Sequence, residues 1–224
     1  MANLVLTSDF PSTINESVVA RIRESACRRV AWVAAVASSG RVHFPAAQQV
    51  FETFGVERLE LLALDEDHRQ SEDLSRFDAV YLTGGDPITF REKMLRSGFE
   101  GRLRPFIAAG HLVIGASGGA MQLSANVSLF RLLAGEVDDV VAVRKDFVGL
   151  GAVRFEFLPH LNRHDAAFMN KVIQYSKSLP CDLFALKDGA ALYVTPGGMS
   201  VSGGGIRVRQ GVASSMGEAY SQEQ

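Results

Sequence analysis

Short apolar, β-branched runs alternate with amphipathic stretches along most of the chain. These runs predict strands near Leu4–Thr7, Arg29–Ala37, Leu59–Leu64, Ala79–Thr83, His111–Gly115, Val153–Leu158, Leu183–Lys187 and Ala190–Thr195. Helical spacing between them predicts helices near Ile14–Ala26, Pro45–Phe54, Thr89–Arg96, Gly101–Ala109, Gly118–Ala125 and Asp165–Ser178. Strands alternating with helices imply βαβ units. The expectation is therefore a three-layer α/β fold, a mainly parallel sheet with helices on both faces. The last third changes character: LYVTPGGMSVSGGGIRVRQG reads as short strands joined by Gly-rich turns, a β-hairpin region on the sheet edge. No repeat or long linker interrupts the chain, so residues 1–224 are expected to form a single domain. The polar stretch from about Ser214 is expected to fray.

Composition narrows the function classes. Of 224 residues, 47% are apolar and 21% charged, as in ordinary globular proteins. A formal net charge of −2 argues against a general nucleic-acid binder. The longest apolar run, Val30–Ala37, is far shorter than the roughly 20 residues of a membrane span, so no membrane partner is expected. Cys27 and Cys181 stand apart with no metal-ligand spacing, which fits a reducing compartment. The opening MANLVLTSDF lacks a basic segment followed by an apolar run. A cytoplasmic location is the expectation.

The chemistry concentrates in LVIGASGGAMQL, residues Leu112 to Leu123. Gly115-Ala116-Ser117-Gly118-Gly119 matches G-x-S-x-G between a predicted strand and a predicted helix. Such a turn is sharp, so its flanking residues must be small. It projects the serine hydroxyl at the top of the sheet, with the next backbone N–H facing the same space. The helix that follows adds partial positive charge, which favours an oxyanion. A plain βα turn and a phosphate-binding turn are the competing readings. The phosphate motifs G-x-x-x-x-G-K-[ST] and G-x-G-x-x-G are absent here.

A serine hydroxyl needs a base. His160, in FLPHLNRH, follows a predicted strand and is the best placed of the five histidines. His43 could line the crevice, His68 in the acidic loop DEDHRQSED reads as solvated, His111 begins the elbow's own strand at the far end, and His164 reads as a helix cap or surface residue. A carboxylate should orient the imidazole. Asp188 in ALKDGAAL is the first candidate, with Asp138 and Asp139 as competitors. A second oxyanion donor is expected from YLTGGD, where a strand ends in Gly84-Gly85. Ligand sites in open parallel sheets lie beyond the carboxyl ends of the strands, so both glycine turns should face one crevice.

The ordered blocks YLTGGDPITF, GASGGAMQL, FLPHLNRH and KDGAALYV resemble the dipeptidase E family of serine peptidases, the α-aspartyl dipeptidase and cyanophycinase group. The fold of that group is similar to class I glutamine amidotransferases. The resemblance implies Ser117 as nucleophile, His160 as general base, Asp188 as the third member, and Gly85 and Gly118 as oxyanion donors. Asp188 falls about where that family carries a Glu. The elbow has Gly118 where the family usually has Ala, an exchange expected to be tolerated. The implied substrate is a short peptide, in the family's form a dipeptide with an N-terminal Asp. Asp86 and Arg163 are the residues expected to contact it, with Lys171 and Arg91 as further candidates for a carboxylate clamp. The acid- and arginine-rich stretch that aspartyl dipeptidases carry after the histidine is replaced here by LNRHDAAFMNKVIQ. No metal or organic cofactor is implied, and a monomer or homodimer is expected. Two readings stand beside this one: a non-catalytic relative that binds a small ligand, and another acyl hydrolase, an esterase or amidase.

Overall fold

The computed structural model describes residues 2–66, 73–217 and 219–222, the last four by their backbone. The strands are β1 (Asn3–Thr7), β2 (Arg29–Ala34), β3 (Arg58–Ala63), β4 (Ala79–Leu82), β5 (Leu112–Ala116), β6 (Glu156–Leu158), β7 (Leu183–Leu186), β8 (Ala191–Thr195), β9 (Gly198–Ser202), β10 (Gly205–Arg209), β11 (Val212–Met216) and β12 (Ala219–Gln222). The helices are α1 (Glu16–Glu24), α2 (Ala37–Thr53), α3 (Pro87–Arg96), α4 (Phe99–Ala108), α5 (Gly118–Leu123), α6 (Val137–Val143) and α7 (Ala166–Ser176).

Two sheets share these strands. The larger runs β12-β9-β8-β1-β5-β4-β2-β3, with β1 to β5 mutually parallel and the last three added antiparallel. The smaller runs β11-β10-β7-β6, with β6 and β7 parallel. β5 (LVIGA) and β4 (AVYL) are buried along their whole length, as strands covered on both faces must be. Alternate residues feed different layers. Leu4, Leu6, Val80, Leu82 and Val113 pack with Phe90, Met94 and Leu103 on one face. Val5, Trp32, Tyr81 and Ile114 pack with Val18, Ile22 and Phe51 on the other.

Helix starts follow local chemistry. The Asn15 side chain accepts from the N–H groups of Ser17 and Val18 at the head of α1. Asp86 caps α3, with Pro87 as its first residue. Asp165 caps α7 through the Phe168 N–H.

Several boundaries differ from the sequence reading. β2 stops at Ala34 instead of Ala37, and α2 begins at Ala37 with Pro45 inside it rather than at its start. Tertiary packing overrides the local pattern here. A Cβ on Gly40 would lie 3.0 Å from the Ala34 Cβ and 3.2 Å from Leu61 Cδ1, so the polar SSGR segment is helical and lies close against the sheet. The strand expected at Val153–Leu158 shortens to β6 and belongs to the smaller sheet. The β8–β9 hairpin extends the larger sheet beyond β1 with β12 as the edge strand, and β10 and β11 leave it to build the second sheet. Of the described residues from Ser214, a stretch expected to fray, those of β11 pair with β10 and those of β12 with β9.

Candidate active site

The carboxyl ends of β1, β4 and β5 open onto one crevice of about 470 Å3, as do residues from α2. Its lining includes Ser117, His160, Gly84 and Gly85, so the two glycine turns do face a common space. The smaller sheet delivers its residues to the same place. His160 follows β6 and Asp188 follows β7, neighbouring parallel strands with a common direction. Two hydrogen bonds tie the sheets together here. Ser8 Oγ donates to the Leu186 carbonyl at 2.7 Å, and Asn15 Nδ2 donates to the Gly189 carbonyl at 2.6 Å.

Ser117 sits between β5 and α5 at φ 50° and ψ −117°, a region that side chains other than glycine rarely adopt. Its N–H donates to the Thr7 carbonyl at 2.9 Å, and its own carbonyl accepts from Met121 at 3.1 Å. These bonds hold the strained turn and leave the hydroxyl in the crevice. The flanking glycines are dictated by contact. A Cβ on Gly119 would overlap the carbonyls of Leu82 and Thr83, and one on Gly115 would fall 2.6 Å from the Ala120 Cα.

A Cβ on Gly118 would overlap the Gly85 carbonyl oxygen and lie 3.1 Å from its carbon. The exchange of Ala for Gly at this position, expected to be indifferent, is coupled to the close approach of the Gly84-Gly85 turn. Gly85 has φ +128°, a backbone conformation suited to glycine, and the absence of a Cβ on Gly118 leaves room for its carbonyl.

Ser117, His160 and Asp188 form one hydrogen-bonded chain. Ser117 Oγ lies 2.8 Å from His160 Nε2, and His160 Nδ1 lies 2.6 Å from Asp188 Oδ1. His160 is held at φ 60°, itself a left-handed backbone position. Asp188 is anchored further: Arg163 Nε donates to its Oδ2 at 2.6 Å and Asn162 Nδ2 at 3.1 Å, while its own N–H donates to Asn162 Oδ1 at 2.7 Å. Partial burial works against its charge. The hydrogen bonds from His160, Arg163 and Asn162 outweigh burial and hold the carboxyl below its ordinary value. An ionised Asp188 can only accept, so Nδ1 carries the proton and Nε2 is left to accept from the Ser117 hydroxyl.

The other candidates lie elsewhere. Asp138 and Asp139 stand in the first turn of α6, whereas Asp188 is within hydrogen-bonding distance of the imidazole. Asp86 accepts from the Thr89 N–H at 2.7 Å as a helix cap and is absent from the crevice lining, so its expected substrate contact is not formed by this geometry. Arg163, expected on a substrate carboxylate, holds Asp188 and, through Nη2, Asp9 at 3.1 Å. Of the further clamp candidates, Lys171 pairs with Glu136 and Arg91 with Glu100. His43 lines the crevice from α2, as expected. His111 stacks on Phe106, and His164 closes the short turn Leu161–Arg163 while Asp165 caps α7; its ring stacks on Phe168 with Nε2 at 3.1 Å from the Pro159 carbonyl. His68 lies outside the described residues. Sequence reasoning missed Asn162, whose signal was its place between His160 and Arg163. It also missed the crevice floor of Phe10, Trp32 and Tyr81, whose apolar letters read as ordinary core. Among the described residues, no group of three or more His, Cys, Asp or Glu could hold a metal ion, and no helix is long and apolar enough to cross a membrane.

Comparison with known proteins places this geometry in context. Residues 6–201 match the family model described as peptidase family S51. An uncharacterized peptidase of Pasteurella multocida is 28% identical over 114 residues, 49% of this chain and 53% of that protein. The chain thus spans about half the length of that relative. An uncharacterized peptidase of Listeria monocytogenes is 29% identical over 170 residues, covering 72% of this chain and 79% of the relative. The crystal structure of a peptidase from an acI-B1 Actinobacterium superposes with a TM-score of 0.75 at 18% identity, over 99% of this chain and 97% of that one. At that identity the likeness is one of fold.

Proposed function

The chain belongs to peptidase family S51, and on that premise we propose that it is a serine peptidase that hydrolyses short peptides, with Ser117 as nucleophile. The observation that carries this reading is the Ser117–His160–Asp188 chain of hydrogen bonds, built on a serine held at positive φ. His160 Nε2 takes the hydroxyl proton as Oγ bonds to the scissile carbonyl carbon. Asp188 stabilises the imidazolium that results. The carbonyl oxygen, now an oxyanion, is received by the N–H groups of Gly85 and Gly118, each worth roughly 2.7–4 kcal/mol in systems of this kind. Collapse of the tetrahedral species passes the proton from His160 to the leaving amine and leaves an acyl-enzyme. Water, deprotonated by His160 in turn, releases the acid and restores Ser117. The family's narrower form, a dipeptide with an N-terminal Asp, calls for a cation in the crevice. Among the described lining residues there is no lysine or arginine.

The test is intact-mass labelling with a fluorophosphonate at neutral pH, followed by turnover of a dipeptide panel. The wild-type protein should gain one adduct, which Ser117→Ala should abolish along with hydrolysis while its circular dichroism is unchanged. Peptidase activity surviving in Ser117→Ala would refute the mechanism. A wild-type protein that neither labels nor cleaves would favour the ligand-binding reading.

A further inference from the structure

The crevice beside Ser117 has a composition that the proposed chemistry does not require. Its floor is aromatic. Trp32 and Tyr81 stack with ring centroids 6.3 Å apart and planes 11° apart, and Phe10 lies 6.3 Å from Tyr81. The Tyr81 hydroxyl donates to the Phe10 carbonyl, so the polar end of that ring is already used. One wall is α2, which presents Ala46, Ala47 and Val50. Ala46 is exposed on the helix surface and Ala47 is buried, so the small side chains leave room above the rings. A crevice of about 470 Å3 suits a small ligand with one bulky group.

Charge in the lining is sparse and mostly committed. Asp9 is the one carboxylate among the described lining residues, and Ser12, Thr13 and Arg163 hold it. The two histidines are His160, engaged with Ser117 and Asp188, and His43 on α2. A substrate carboxylate placed over Trp32 and Tyr81 would lose water and find no guanidinium or ammonium group in return, which is costly. An apolar or aromatic side chain placed there would exchange water for the small surface that these core rings, 2–4% exposed, still present to the crevice and for methyl groups of α2, which is favourable.

We propose that this crevice selects short peptides bearing a large, uncharged apolar or aromatic side chain beside the scissile bond, with Phe10, Trp32, Tyr81 and the Ala46–Val50 face of α2 setting the preference. The inference rests on the serine-peptidase reading above and names its substrate class. Arg163 then serves the protein's own carboxylates and not the substrate's.

The experiment measures kcat/KM at about pH 8. The panel contains dipeptides with Phe, Leu, Met, Ala, Asp or Lys at either position. The wild-type protein should prefer Phe, Leu or Met over Asp by roughly 100-fold, within the range a hydrophobic pocket delivers. Ala46→Phe, at an exposed helix position facing the crevice, should lower the Phe-to-Ala selectivity ratio roughly tenfold by filling the space. Asp dipeptides cleaved as well as Phe dipeptides, or a selectivity ratio unmoved by Ala46→Phe, would overturn the inference while fluorophosphonate labelling of Ser117 left the hydrolase reading standing. Absence of both labelling and cleavage would remove the hydrolase reading and this inference with it.

Discussion

Gly118→Ala adds a single methyl group, and its consequence can be worked from the contact it makes. The new Cβ overlaps the Gly85 carbonyl oxygen and lies 3.1 Å from the carbonyl carbon. Carbon–carbon contacts relax at about 3.5–4.0 Å. The carbonyl carbon must therefore retreat by about 0.5–1 Å, and the oxygen by more. Ser117 cannot yield instead, because its N–H is bonded to Thr7 in β1. The exposed Gly84-Gly85 turn must move, and it carries one of the two proposed oxyanion donors away from the other. Donor geometry tolerates roughly 0.5 Å, and a misplacement of about 1 Å costs on the order of 100-fold. The expected result is a fall in kcat of about 10²–10³, the loss seen when one oxyanion donor is removed. KM should change little. Overpacking should lower stability by about 1–3 kcal/mol. Steady-state kinetics on a dipeptide, with thermal melting in parallel, provides the assay. A folded Gly118→Ala protein with kcat within twofold of wild type would show that the approach of the two turns does not build the oxyanion site. Gly119→Ala is the contrasting case, since its Cβ would strike the carbonyls of Leu82 and Thr83 at the end of β4, and failure to fold is expected there.

Asp188 tests the acid side. Its folded value is depressed, so the stability it contributes is fully present above the unfolded value of about 3.9 and is lost as pH falls through the lower folded value. Arg163→Gln removes a charged donor at 2.6 Å and should move that loss to higher pH, read as melting temperature between about pH 2.5 and 6; an unshifted acid limb would contradict the assigned cause. Asp188→Asn should lower kcat by roughly 10⁴ without unfolding the protein, because an amide stabilises the wrong imidazole tautomer. Farther from the crevice, Glu156 is fully buried and receives Arg144 Nε at 3.0 Å and Nη2 at 2.7 Å. Arg144→Leu strands that carboxylate and should cost about 3–5 kcal/mol in urea unfolding; a loss below about 1 kcal/mol would mean that Tyr175, 3.0 Å from Glu156 Oε2, suffices alone.

The parts legible in the sequence were those governed by short-range rules. Period and β-branching located β1, β4, β5 and β7, and the alternation with helices gave the parallel arrangement of β1, β4 and β5. The G-x-S-x-G turn marked Ser117, and FLPHLNRH marked His160. The start of α2 was not legible, because the closeness of Gly40 to Ala34 and Leu61 is a tertiary fact. The division of the last third between two sheets was hidden for the same reason: Gly-rich hairpins pair equally well with any open strand edge. Asp188 led Asp138 and Asp139 only through its place between two predicted strands and the family resemblance, since no local pattern reports which acid reaches the imidazole until the chain is folded.

By itself, then, the sequence determined which residue types could do chemistry and the order in which the strands would present them, because backbone sterics and hydrophobic periodicity act over a few residues. Tertiary structure alone decided which acid meets His160, that Arg163 serves Asp188 and Asp9, and that Trp32, Tyr81 and Phe10 floor the crevice. Those outcomes depend on distances between residues far apart along the chain, as between Phe10 and Tyr81 or Ser117 and Asp188. Only the packing of helices and two sheets sets such distances.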